Sequence, residues 1–370
     1  MATSDRQPLE VLVIDDSAYN RRTLAGFFDD VPGVRVVGKA SDGQEGLQIA
    51  VNEKPDVITL DLEMPRMDGF AFLRLLMARQ PTPVIVISSH AKRENVFRAL
   101  ELGALDFVAK PTHRISPAIH EIKDQVVRKV LLARNLKRET LRPVSPTPVE
   151  RALETGSFKL VEPEAEPAAP EGEAEAPREA DRVVVIGAST GGPAALTRIL
   201  TALPAEIEAG VVVVQHMPPT FTTTFAERLN RQSNLRVVEV SRTEIVCRGG
   251  VYVAPGDRCL EMVPIGGGAL GVKPVAPNPD DRYVPSVDRL FITAAACGRR
   301  NVLAVVLTGM GDDGRAGVEA VADAGGMVVA ESDESAVVAG MPLAAISTGL
   351  VARVEKLDRM GDLIKAFARG

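Results

Sequence analysis

Short runs of β-branched residues, many closed by a polar side chain and followed by a stretch with helical spacing, recur along most of this chain. Between residues 9 and 132 they read VLVID (11–15), VRVVGKA (34–40), DVITLD (56–61), PVIVIS (83–88) and DFVAK (106–110). Strand–helix units repeated in this way predict a parallel, doubly wound α/β sheet. The last helix of the set is expected to begin at Ser116-Pro117, an N-cap and N1 pair, and to bury Ile119, Ile122, Val126 and Val130. Past about residue 135 the composition turns to Pro, Glu and Ala, as in VEPEAEPAAPEGEAEAPREAD, with too little apolar surface to order itself. Alternation resumes at 181 with VVVIG, GVVVVQH, RVVEV, GVYVAPG, NVLAVVLTG and GMVVA. The expectation is an N-terminal domain over 1–132, an acidic linker over 133–180 and a second doubly wound α/β domain over 181–370. That second sheet should be mostly parallel, with a small antiparallel element around VYVAPGDRCLEMVPIGGGALGVK.

Composition narrows the function classes. The 370 residues suffice for two cores, and 45% of them are hydrophobic. A net charge of −6 argues against nucleic acid or an anionic membrane as the main partner. No apolar run has the length of a membrane span, and the N-terminus lacks the pattern of a signal peptide. Cys247, Cys259 and Cys297 are too scattered for a disulfide framework or a zinc site. A cytoplasmic setting follows as the expectation.

Two groups of strand-end residues carry chemistry. In the first, Asp15 and Asp16 close the first strand, Asp61 the third, Ser88 the fourth and Lys110 the fifth. Ligands gather beyond the carboxyl ends of parallel strands, so these side chains should converge on one pocket. Three carboxylates suit a hard cation such as Mg²⁺, and one of them could attack a phosphoryl group to give an acyl phosphate. The motifs DDS (15–17), DLEMPRMDG (61–69), ISS (87–89) and AKP (109–111) resemble, in order, the receiver domain of two-component response regulators. The resemblance implies that Asp61 is the phosphoacceptor, that Asp15 and Asp16 join it in holding Mg²⁺, and that Ser88, Lys110 and Phe107 are switch residues. Phe107 stands at the aromatic switch position without a hydroxyl.

The second group follows later strands. VVVIGASTGGP ends on Ser189, VVVVQHMPP on His216 and VLAVVLTGMGDDG on Asp312 and Asp313. A serine hydroxyl needs a base within hydrogen-bond reach, and the base needs an acid to hold its tautomer. Gly191-Gly192 and the helix start near Pro193 would let backbone N–H groups approach an oxyanion. A dinucleotide loop is the competing reading, but GASTGG lacks the middle glycine of G-x-G-x-x-G. Spacing alone does not separate Asp312 from Asp313.

IGASTGGP, QHMPP…FTTTFAERL, VYVAPGD, PSVDRLF and LTGMGDDGRAG together resemble the catalytic domain of the chemotaxis receptor-glutamate methylesterases, whose architecture also includes a leading receiver. The resemblance implies a Ser189 nucleophile, a His216 base and an Asp313 acid. It implies Thr190 and the backbone around Met310 beside the reacting carbonyl, and leaves Asp312 a structural or capping role. It further implies hydrolysis of glutamate methyl esters on cytoplasmic receptor helices, deamidation of certain receptor glutamines, a chemotaxis-type histidine kinase as phosphate source, and no cofactor for hydrolysis. A phosphorylation-switched binding module and a DNA-binding regulator are the rival classes. No basic recognition helix supports the latter.

Overall fold

The structure is a computed structural model and describes residues 7–88, 93–110, 118–136, 178–297 and 301–370. The predicted helix start at Ser116-Pro117 lies outside the described residues, as does most of the predicted linker, residues 137–177.

The N-terminal sheet comprises β1 (Leu9–Ile14), β2 (Val34–Ala40), β3 (Val57–Leu60), β4 (Val84–Ser88) and β5 (Asp106–Ala109), in the order β2-β1-β3-β4-β5. Every pairing is parallel. Helices α1 (Ala18–Gly26), α2 (Gly43–Glu53), α3 (Gly69–Arg79), α4 (Arg93–Glu101) and α5 (Ala118–Leu132) connect or follow the strands. The first three start where a side-chain oxygen, of Ser17, Asp42 or Asp68, accepts from a backbone N–H of the first turn. Ile14 is in register with Leu60, so the residues just beyond β1 and β3 stand side by side.

The C-terminal sheet holds seven strands: β6 (Val183–Ala188), β7 (Gly210–Gln215), β8 (Arg236–Glu239), β10 (Gly250–Val253), β13 (Val302–Val306), β14 (Met327–Glu331) and β15 (Arg353–Glu355). Their order is β15-β14-β13-β6-β7-β10-β8, and all are parallel. A separate antiparallel sheet joins β9 (Glu244–Ile245), β11 (Cys259–Pro264) and β12 (Leu270–Val275). The expected antiparallel element is present, while VYV (251–253), at the start of that run, belongs to the parallel sheet. Helices α6 (Gly192–Thr201), α7 (Pro219–Gln232), α8 (Val287–Ala296), α9 (Arg315–Asp323), α10 (Gly340–Ile346) and α11 (Leu357–Arg369) complete the domain.

All residues of β6, β7 and β13 are buried. That is why these strands read as unbroken Val, Ile and Leu runs rather than alternating ones. Each such side chain contributes about 2 kcal/mol of apolar transfer. From β6 the chain winds one way to β7 and later returns on the other side to β13, so β6 lies at the point where the winding reverses. A crevice at the carboxyl ends of the strands follows from that reversal.

The two sheets' layers share one continuous core. Phe97 of α4 stacks on Phe225 of α7 with ring centroids 5.5 Å apart. Phe107 of β5 meets Phe221 at 4.5 Å. Arg228 and Arg231 of α7 pair with Glu94 of α4 at 3.1 and 2.7 Å. Arg228 also pairs with Glu101. No helix among the described residues is long and apolar enough to cross a membrane.

Candidate active site

Ser189, His216 and Asp313 follow three adjacent strands, β6, β7 and β13. Parallel pairing fixes the heights of their turns: the His216 N–H donates to Ala188 O, and the Ser189 N–H donates to Thr308 O, both at 3.0 Å. His216 Nε2 lies 2.8 Å from Asp313 Oδ2. The ring nitrogen not engaged by Asp313 is therefore Nδ1. Of the two acids that spacing left open, Asp313 is the one bonded to the histidine.

Asp313 is buried, and hydrogen-bond donors surround its oxygens. Oδ2 accepts the Val287 N–H at 2.8 Å, and Oδ1 accepts the Asp288 N–H at 2.9 Å. The Ser286 hydroxyl lies 3.3 Å from Oδ1. The acid thus sits on the first turn of α8, where free N–H groups and the helix dipole favour negative charge. Ser286 also caps that helix by accepting from the Arg289 N–H. Asp288 in turn accepts the Gly317 N–H of α9 at 2.7 Å, and burial pushes its carboxyl up. The PSVD motif is thus the mount for Asp313.

Gly191, in the left-handed region at φ +81°, turns the chain from Ser189 into α6. Gln215, the last residue of β7, bridges the two turns: its Nε2 donates to Ser189 O at 2.8 Å and to His216 O at 3.1 Å. A Cβ on Gly192 would collide with Gln215 Oε1, so the amide and the glycine occupy one space. Behind Ser189 stands Thr308. Its hydroxyl donates to Thr190 O at 2.9 Å, and its N–H donates to Glu331 Oε2 at 2.8 Å. Glu331 is fully buried, and burial pushes its carboxyl up to about 7. Gly309, the neighbour of Met310, lies against Ser189 Cβ. The Thr190 hydroxyl donates to Asp106 Oδ2, across the boundary between the two sheets' layers, at 2.6 Å. Asp312 does not reach His216; it pairs with Arg282 and accepts from Tyr283. Gln215, Thr308, Glu331 and Tyr283 escaped the sequence reading. Polar residues ending Val-rich strands were the available signal for Gln215 and Glu331.

In the N-terminal pocket, carboxylate oxygens of Asp15, Asp16 and Asp61 lie within 4.8 Å of one another. Lys110 Nζ donates to Asp15 Oδ2 at 2.9 Å and pairs with Asp61. Burial pushes the Asp61 carboxyl up, against the pull of Lys110. Burial would lower Lys110, but Asp61 and Asp15 outweigh it and hold the amine above its usual value. Ser88 is buried at the end of β4, and its carbonyl accepts the Lys110 N–H at 2.7 Å. An all-oxygen acidic set of this kind fits Mg²⁺.

Residues 184–364 match the CheB methylesterase family, and residues 11–119 match the response regulator receiver domain. A protein-glutamate methylesterase/protein-glutamine glutaminase 3 of Geobacter sulfurreducens is 48% identical over 360 residues, covering 95% of both chains. The chain belongs to the CheB methylesterase family. A second relative, protein-glutamate methylesterase/protein-glutamine glutaminase 1 of Myxococcus xanthus, is 46% identical and covers 99% of both chains. The crystal structure of the Thermotoga maritima CheB methylesterase catalytic domain is 39% identical, covering 50% of this chain and 97% of that one, with a TM-score of 0.48.

Proposed function

We propose that this member of the CheB methylesterase family is a phosphorylation-activated serine hydrolase of the cytoplasm. It removes methyl groups from glutamate methyl esters on receptor helices and deamidates receptor glutamines. The observation that carries the reading is the His216–Asp313 pair beside Ser189 at the point where the sheet reverses.

Ser189 Oγ bonds to the ester carbonyl carbon while its proton passes to His216 Nδ1. Asp313, on Nε2, stabilises the imidazolium. The oxyanion is received by backbone N–H near Met310, with Thr190 alongside. The bond between the carbonyl carbon and the methoxy oxygen breaks, and methanol leaves with the proton from His216. Water, deprotonated by His216, then cleaves the acyl-serine to free glutamate. With a glutamine substrate the leaving group is ammonia.

In the receiver, Asp61 takes the phosphoryl group from a histidine kinase, and Lys110 and Ser88 contact its oxygens. Asp15, Asp16 and Asp61 would hold Mg²⁺, which when bound neutralises phosphoryl charge. The strand that ends near Lys110 also carries Asp106 and Phe107, which touch Thr190 and Phe221. Phosphorylation would bias that contact toward release and uncover Ser189.

The test is methanol release from methylated receptor membranes, with and without a small phosphodonor and Mg²⁺. Release should rise with the donor, vanish in Ser189→Ala and lose its stimulation in Asp61→Asn. A folded, phosphorylated protein that releases no methanol would instead be a binding module.

A further inference from the structure

Tyr283 lies on the segment that leads into α8. Its ring is parallel to the His216 imidazole, with an interplanar angle of 2° and centroids 5.2 Å apart. The ring is itself held. Its hydroxyl donates to Asp312 Oδ1 at 3.0 Å. Asp312 accepts from Arg282 Nη1 through both oxygens, each at 3.0 Å. The Arg282 guanidinium carbon is 5.2 Å from the centroid of the Tyr283 ring. Gly311, at φ +88°, leaves the space that the tyrosine hydroxyl fills, since a Cβ there would collide with it. The Asp312 carboxyl is held below its usual range, first by the Tyr283 hydroxyl.

None of these groups takes part in the acyl transfer described above, yet they bear on its base. A single hydrogen bond from Nε2 to Asp313 fixes one point of the imidazole and leaves the ring free to tilt about it. Nδ1 must take a proton from Ser189 and then deliver it to a leaving oxygen in a slightly different position. A parallel aromatic face removes the tilt, and the face of a phenol ring also favours the imidazolium that forms between the two transfers.

We propose that Tyr283 is a positioning residue that fixes the plane of the His216 ring so that Nδ1 stays aimed at Ser189, and that Asp312 and Arg282 hold Tyr283 in place. The inference rests on the reading of Ser189, His216 and Asp313 as the reacting groups. It assigns Asp312, the acid that does not touch the histidine, a part in positioning the base through the tyrosine.

The test uses the full chain, activated by phosphodonor and Mg²⁺, and methanol release from methylated receptor membranes over a range of receptor concentration. Tyr283→Leu should lower kcat by about tenfold or more, the scale of a small misplacement of a catalytic group, and leave KM within about twofold. Tyr283→Phe keeps the ring but loses its bond to Asp312, so kcat should fall severalfold, as in Arg282→Ala, and stay well above that of the Leu variant. The low-field proton signal of the His216–Asp313 bond should persist in the Phe variant and broaden in the Leu variant. Arg282 is a surface residue, so Arg282→Ala tests the same chain of contacts without entering the core. It should lower kcat severalfold at constant KM. An unchanged kcat in Tyr283→Leu would overturn the proposal. So would losses confined to KM, which would make these residues substrate contacts, or a Phe variant as impaired as the Leu variant. Hydrolysis surviving in Ser189→Ala would instead overturn the reading of the triad.

Discussion

Gln215 spans the turns that carry Ser189 and His216 with one amide group. Replacing it with Leu keeps the volume, leaves Ser189 O with the Gly192 N–H alone and strips His216 O of its donor. An orphaned acceptor costs about 1–3 kcal/mol, so urea denaturation should register a loss of that order, with kcat falling at least tenfold. Glu331 acts one step further back, through Thr308. A free glutamate titrates near 4.5, but here burial outweighs the Thr308 and Ser335 donors and moves the carboxyl to about 7. Between those values the folded chain keeps a proton that the unfolded chain has released. The contribution of this group to stability is thus complete at low pH and is lost as pH rises through the window, on the order of 3 kcal/mol in all. Glu331→Gln should therefore gain on the parent in unfolding free energy as pH is raised from about 5 to about 8. Parallel curves for the two proteins would mean that Glu331 titrates like an exposed carboxyl.

The first turn of α8 is the element on which the acid depends. Ser286 caps it and also contacts Asp313, so Ser286→Ala should cost about 1 kcal/mol of stability and lower kcat more than KM. Thermal melting and methanol release read the two effects separately. At this scale the sequence was informative wherever one element's own composition carried the message. The central strands, buried on both faces, announced themselves as uninterrupted apolar runs, and Ser189, His216 and the Asp pair stood out as polar residues closing those runs. The short edge strand β15 was not legible, because only three residues pair there and two of them are exposed. Nor was the choice between Asp312 and Asp313 open to spacing, since it depends on which side chain meets a helix start some two dozen residues earlier. The Tyr283–His216 contact joins segments brought together only by the closed fold, and no local pattern encodes it.

Across the whole molecule, the receiver face of α4 and β5 lies on α7 and touches Thr190, the residue after Ser189. Arg228 supplies the ion pairs at the rim of that contact, bonding Glu94 and Glu101. Under the proposed function, in which opening breaks those pairs, Arg228→Ala should raise the rate without phosphodonor severalfold and leave the fully phosphorylated rate unaltered. Methanol release at zero donor measures it, and an unchanged basal rate would remove this rim from the control of opening. All seven strands of the catalytic sheet point the same way, so their carboxyl ends present a single face, and under the proposed function receiver and receptor would contend for it. Binding free energies couple reciprocally. Under the proposed function, phosphorylation at Asp61 and a bound receptor would favour the same open arrangement, so each would favour the other. The substrate would then also be an effector of its own enzyme: a crowded array of methylated receptors would draw the protein open and deepen its response to a given flux of phosphate from the kinase.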